Sequence, residues 1–418
     1  MRVSPLAIFI VMIVLAWLDL YAYQATNTLL KNHGLKKWAK GIKWFYLIQA
    51  IAFQGVTLYL WQSQRSTAEF MFLMAVISMA YFGKLLAILF VFIDDIRRVL
   101  IYFFEGRKRR HQRRVESGQK ISRSKFLARS AVAVSMLPVV TMSFGIVKGA
   151  YDYRIRRRKV YLPNLPKGFD GIKVAQLSDI HSGSFFDKMA VQGGIDMLNA
   201  EKPDVVFFTG DLVNNQTSEV KDYIDLFSKI NPDLGVYSTL GNHDYGDYRR
   251  WSSQAQKSQN LADMIKAHER MGWNLMMNEN ESIRIGTDQI SVIGIENWGA
   301  GRFAKYGQLE KAVKNAEGDV KLLLSHDPSH WDAQVRTQQP DIDIMFAGHT
   351  HGMQLGVEIG DWRWSPSKYI YKQWADLYQE DDQYLYVNRG FGFLGFPGRI
   401  GILPEITIME LTSEPIIS

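Results

Sequence analysis

The stretch MFAGHTHGMQ (345–354) ends an apolar run with Gly-His-Thr-His. Two imidazoles one residue apart, straight after a strand that reads as buried, are either loop side chains satisfied by neighbours or part of a metal site. The other apolar runs decide between these readings. Before it lie IKVAQLS (172–178), DVVFFT (204–209), GVYSTL (235–240), ISVIGIE (290–296) and VKLLLS (320–325), and the run it ends is IDIMFA (342–347). After it come YLYVN (384–388) and EITIMEL (405–411). Several lack polar alternation, as strands covered on both faces do. Helix-like stretches at 188–201, 218–229, 260–270 and 309–316 separate some of them. Strands interleaved with helices predict an α/β sandwich with its helices outside.

The residues just past several of these runs share one chemistry. The first run leads to Asp179-Ile180-His181, the second to Asp211, and the third to Asn242-His243-Asp244. VKLLLS leads to His326, and IDIMFA to His349-Thr350-His351. Five of the nine histidines therefore fall just beyond the carboxyl ends of predicted strands, where open α/β sheets gather their ligands. Imidazole and carboxylate donors without thiolate suit Mn, Fe or Zn. So many donors exceed what one ion with open positions can use, and two divalent ions are the expected count. A carboxylate between two metals ~3.5–4 Å apart could bridge them, and such a pair clamps a phosphoryl group.

These residues resemble the calcineurin-like metallophosphoesterases, whose signature is Asp-x-His, Gly-Asp, Gly-Asn-His-Asp/Glu, a lone His, and Gly-His-x-His. Here it stands in order as DIH, GD, GNHD, SHDP and GHTH, within 171–411. The resemblance implies a four-layer β-sandwich of two mixed sheets flanked by helices. It implies that Asp179, His181 and His351 hold one ion, that Asn242, His326 and His349 hold the other, and that Asp211 bridges them. It also implies that His243 contacts the phosphate and protonates the leaving group, with Asp244 orienting it. Close bacterial relatives often carry a second glycine where this chain has Met353. The carboxy-terminal NRGFGFLGFPGRIGILPE is similar to the membrane-anchored branch, which includes UDP-2,3-diacylglucosamine pyrophosphatases. By that likeness Arg399 is expected near the site, either binding a second phosphate or headgroup or forming a surface salt bridge. Aromatics near the motifs (Trp298, Trp362, Trp364, Trp374, Phe391, Phe393, Phe396) either line an acyl groove, dip into a membrane interface, or pack locally.

The first third is different in kind. Uncharged runs at 5–23, 44–61 and 70–93 reach bilayer-spanning length, with Tyr21, Tyr23, Trp44, Tyr59 and Trp61 at their ends. A fourth, 126–147, is milder and is interrupted by Pro138. The expected organisation is a helical membrane domain of three to four spans (1–147), a basic connector (148–170) and the metallophosphoesterase domain (171–418). Residues 148–170 read either as a segment on lipid headgroups or as a solvated linker with a strand at 159–162. Lys84 lies well inside the third span, at a depth matching Asp19 in the first, and an Asp19–Lys84 pair is expected.

The 418 residues carry a net charge of +7 and no cysteine, which excludes disulfides and thiolate metal modules. The excess charge is clustered beside the spans, so no nucleic-acid partner is expected. Basic loops at 31–43 and 97–125, against Arg65 alone between spans two and three, put the amino terminus outside. If the fourth run spans, the catalytic domain is extracytoplasmic; RIRRRK (154–159) argues for the cytoplasmic face, and SRSKFL (122–127) resembles a degraded twin-arginine export signal. The expected protein is a multi-pass, membrane-bound phosphoester hydrolase of a phosphodiester, phosphomonoester or pyrophosphate, with a lipid or nucleotide-lipid as favoured substrate. A phosphodiesterase on soluble nucleotides is the alternative within the class. From other classes come a sensor that binds ligand without turnover and a transport role for the spans.

Overall fold

The structure, a computed structural model, describes residues 4–32, 37–63, 68–104 and 123–416. Lys36, Arg65, the basic run 107–120 and Ser122 lie outside them. The chain divides into two compact units, one of Met1–Arg65 with Phe72–Phe144 and one of Ser66–Met71 with Gly145–Ser418.

The first unit is helical: α1 (Pro5–Asn32), α2 (Trp38–Ser63) and most of α3 (Ala68–Phe104) and of α4 (Arg123–Val147). Among the described residues, Pro5–Asn27, Glu69–Phe104 and Ser130–Tyr151 are long and apolar enough to cross a membrane. The mild fourth run thus meets that measure, whereas the second, within α2, does not. Gln49, Gln54 and Thr57 dilute its apolar character. Lys84 pairs with Asp19, as equal depth predicts, and Tyr81 adds its hydroxyl to the other carboxylate oxygen at 2.8 Å. Asp19 is 5% exposed, so the carboxylate has no water to fall back on and both its oxygens are bonded by protein.

In the second unit the strands come in the order β1 (Arg154–Tyr161), β2 (Lys173–Leu177), β3 (Val205–Thr209), β4 (Val236–Thr239), β5 (Trp273–Leu275), β6 (Glu279–Ile285), β7 (Asp288–Gly294), β8 (Lys321–Leu324) and β9 (Ile344–Ala347). A small hairpin comes next, β10 (Val357–Ile359) and β11 (Trp362–Trp364), then β12 (Asp376–Glu380), β13 (Gln383–Val387) and β14 (Glu405–Thr412). One sheet has the order β1-β14-β2-β3-β4-β5 and the other β12-β13-β9-β8-β7-β6. Each holds parallel and antiparallel neighbours. Their inner faces meet through Val174, Val205, Phe207, Val292, Leu322, Leu324 and Phe346. The outer face of the first sheet packs on α5 (Lys188–Ala200) and α7 (Gln254–Met271), with the short α6 (Ile224–Phe227) between them in sequence. The outer face of the second packs on α8 (Leu309–Val313) and Trp331. Helix, sheet, sheet and helix make the four expected layers. Asp187 caps α5 by accepting from Ala190 N at 3.0 Å, and Gly272, at φ 73, closes α7 in the left-handed conformation that costs glycine least.

The basic connector is not a connector. Its residues 154–161 form β1, which runs parallel to β14 at the edge of the first sheet. Arg154 pairs with Asp152 at 2.7 Å, Arg157 with Glu201 at 2.6 Å, Arg158 with Asp376 at 2.7 Å and Lys159 with Glu410 at 3.0 Å. Arg156 pairs with Glu358. The charges that suggested lipid headgroups are matched by carboxylates of the same unit.

Candidate metal centre

β2, β3 and β4 are parallel, as are β8 and β9, so each group opens its carboxyl ends on one edge. The loops leaving those ends are tied together. Asp179 N donates to Gly210 O at 2.9 Å, His181 N to Asp211 O at 3.0 Å, and Gly348 N to His326 O at 2.9 Å. Close approach explains two of the motif glycines. A Cβ on Gly348 would overlap Ser178 and Asp179, and one on Gly241 would overlap Asp211. Asp179, His181, Asp211, His349 and His351 all have positive φ, from 48° to 71°. That region is costly for side chains with a Cβ and concentrates at functional sites.

Two donor groups result, Asp179 with His181 and His351, and Asp211 with His326 and His349; within each, the donor atoms lie within 4.8 Å of one another. In the first, His351 Nε2 is 3.2 Å from Asp179 Oδ1 and 3.0 Å from His181 Nε2. In the second, His326 Nε2 is 3.1 Å from Asp211 Oδ2 and 3.2 Å from His349 Nδ1. Asp211 Oδ2 also lies 3.6 Å from His181 Nε2, so one carboxylate faces both groups. Asn242 donates its amide to Tyr248 at 2.8 Å and leaves a buried Oδ1 with no partner. An orphan carbonyl oxygen and imidazole nitrogens turned toward one another are expensive unless a cation sits among them. The residues fit divalent metal ions.

Electrostatics agree. Burial pushes His181 down to about 3 and His349 to about 4, keeping both imidazoles neutral and able to ligate. For His326 burial acts downward, but the facing Asp211 carboxylate wins and carries it up to about 10. Positive charge is wanted beside Asp211, whose carboxyl is held well below its usual range. His326 donates Nδ1–H to Thr209 O at 2.7 Å, which aims Nε2 at the site.

Two expected roles change. Asp244 does not orient the His243 ring. Its carboxylate accepts from the backbone N–H of Gly241 (2.9 Å), Asp211 (2.9 Å), Leu212 (2.8 Å) and Val213 (3.2 Å), clamping the β3 loop onto the β4 loop. Asn214 O does the orienting, receiving Nδ1–H of His243 at 2.6 Å. Arg399 does lie near the site, as the resemblance implies, but it is not in a surface salt bridge. It is 1% exposed and donates to the carbonyls of Gly390 (3.1 Å) and Gly392 (2.9 Å from Nε), with Nη2 3.2 Å from His351 Nδ1. With its donors spent on carbonyls, it braces the loop behind His351. Phe391, Phe393 and Trp374 are likewise core residues, and Trp362 is open.

Residues 1–150 match the family described as "Probable Calcineurin-like phosphoesterase, transmembrane domain", and residues 172–353 match "Calcineurin-like phosphoesterase". Residues 172–353 belong to the calcineurin-like phosphoesterases. Two relatives are named as transmembrane proteins with a metallophosphoesterase domain. The "Transmembrane protein with metallophosphoesterase domain" of Danio rerio is 29% identical over 295 residues, covering 68% of this chain and 63% of that one. Its Bos taurus namesake is 26% identical over 307 residues, with 70% and 64% covered. The "Uncharacterized metallophosphoesterase YkuE" of Bacillus subtilis is 29% identical over 252 residues, covering 60% of this chain and 82% of that one. The chain therefore spans just under two thirds of the length of the two vertebrate relatives.

Some residues of the phosphoesterase site carry no motif. Tyr371 places its hydroxyl 2.8 Å from His349 Nε2, and Asp327 Oδ2 lies 3.6 Å from the same nitrogen. The Tyr248 ring lies 4.4 Å from that of His243. Asp327 comes straight after His326 in SHDP and was within reach of the sequence. The tyrosines arrive from loops with no pattern.

Proposed function

We propose that this chain is a membrane-tethered, metal-dependent phosphoester hydrolase. The observation that carries it is a pair of buried carboxylate–imidazole groups sharing Asp211, with the unpartnered Asn242 oxygen between strand ends. Asp179, His181 and His351 would hold one ion and Asn242, His326 and His349 the other, with Asp211 facing both groups. Divalent cations held there, Mn, Fe or Zn, would supply charge neutralisation for a phosphoryl group and a more acidic water. His243, its Nδ1–H fixed by Asn214, presents Nε2 to the phosphate and hands a proton to the leaving oxygen. Arg389 and Arg399 are buried and bind no substrate in this reading.

The favoured substrate is a phosphoester carried by a lipid or nucleotide-lipid, because the domain is held where such molecules lie. The extracytoplasmic face is favoured by charge. Putting basic loops 31–43 and 97–125 on one side requires α3 to cross together with α2, although α2 alone falls short of the apolar measure, and α4 then returns outward. RIRRRK no longer opposes this, since its charges are matched within the domain.

The test is hydrolysis of bis-p-nitrophenyl phosphate by the purified full chain with Mn. Turnover should vanish on chelation and return with metal. A folded protein that binds Mn without turnover at any pH would move the reading to a ligand-binding module.

A further inference from the structure

The β10–β11 hairpin has two unlike faces. Pairing sets Glu358 opposite Arg363 on one and Ile359 opposite Trp362 on the other. Glu358 pairs with Arg389 at 2.8 Å and with Arg156, and Arg363 with Asp376 at 3.0 Å, so the charged face is pinned to the domain. The opposite face is apolar and open: Val357 is 44% exposed, Ile359 70% and Trp362 59%. Met353 and Leu355 continue it back toward His351, and Tyr369 and Ile370 carry it to Tyr371, which touches His349. An apolar strip so held and so close to a polar site is a feature of the fold rather than a frayed end.

We propose that this strip seats in the headgroup–acyl boundary of the membrane the chain itself spans, and that amphiphilic phosphoesters enter the metal site along it. The proposal rests on the hydrolase reading for the substrate, but not for the seating. Three observations select the bilayer as occupant. Only residues 148–153 separate α4 from β1, a reach of roughly 20 Å, so the domain cannot leave the lipid surface. Within β1, Arg156 holds Glu358 of the hairpin. The strip's make-up is that of an interfacial surface, with Trp362 and Tyr369 rings beside aliphatics and exposed Lys368 stacked 5.2 Å from the Tyr369 ring. Exposed Asp361 at the turn limits the depth to the headgroups.

The absence of native cysteine allows a direct test. Ile359→Cys, carrying a nitroxide, is compared in nanodiscs with Ser258→Cys on exposed α7, each in the full chain. The expected result is strong collision with oxygen at 359 and several-fold less collision with a soluble nickel chelate than at 258. Equal chelate access at both sites overturns the proposal. Protection at 359 from both reagents also overturns it, because protein rather than lipid then covers the strip. A second arm uses Ile359→Asp, which should raise KM about tenfold for hexadecyl p-nitrophenyl phosphate in the disc and leave bis-p-nitrophenyl phosphate unaffected. An equal change on both substrates counts against delivery along the strip. No turnover of either substrate by the parent chain sinks the hydrolase reading and leaves the spin-label result to stand alone.

Discussion

At the scale of single residues, the centre is held together by groups that bind no substrate. Five site residues sit at positive φ, each at a cost of ~1–3 kcal/mol, and Asp244 is the clamp that offsets part of it. Asp244→Ala strands four buried amides and should cost about 3 kcal/mol or more in chemical denaturation. The same variant should lose bound metal by elemental analysis, whereas His243→Asn should keep metal and lose turnover. Acid sensitivity has a separate source in His268, which is buried, bonded to Ser238 through Nδ1 and pushed down to about 3 by desolvation. Below about pH 6.5 the unfolded chain takes up a proton there that the folded chain refuses. Stability is therefore complete above that pH and falls by about 1.4 kcal/mol per unit toward pH 3. His268→Phe should flatten the decline of the thermal midpoint between pH 7 and 5; an unchanged slope would clear this residue of the role.

At the scale of elements, what could be read in the sequence was what obeys local rules. All eight apolar runs became strands, since a strand buried on both faces has little choice of composition. The donors were legible because each lies just past one of those strands. The strip at 218–229 broke into a 3-10 turn and the short α6, its helical pattern overridden by packing on α7. Edge strands were read poorly: β6 is half polar and was missed, and of β1 only the end was anticipated, as a strand at 159–162, because its start reads as Arg-Ile-Arg-Arg-Arg-Lys. The partners that make β1 a strand come from Glu201, Glu358, Asp376 and Glu410, far along the chain, and no local signal announces them. Arg389 is the hub of that network, 1% exposed among Glu358, Asp376 and Glu405. Arg389→Met leaves those carboxylates facing one another and should destabilise the domain by ~3–5 kcal/mol. Urea unfolding of the variant would measure it, and a loss below about 1 kcal/mol would show the network to be dispensable.

At the scale of the whole molecule, a membrane part and a catalytic part were both legible, one from runs of length and the other from motifs. The Asp19–Lys84 pair was legible too, because a helix converts residue count into depth. Lys84→Asp should lower the yield of folded, detergent-extracted protein several-fold by leaving two like charges in contact. Adding Asp19→Lys should restore part of that yield on size-exclusion chromatography. No recovery would mean the contact does not support the fold.

β14, the final strand, lies between β1 and β2 and is hydrogen-bonded to both. In its sheet β1 therefore has β14 as its sole neighbour, and it joins the sheet only through residues 405–412. The loops that gather the donors leave β2 and β3, so a stretch of chain well downstream of them completes the frame on which the cation-binding pocket is built.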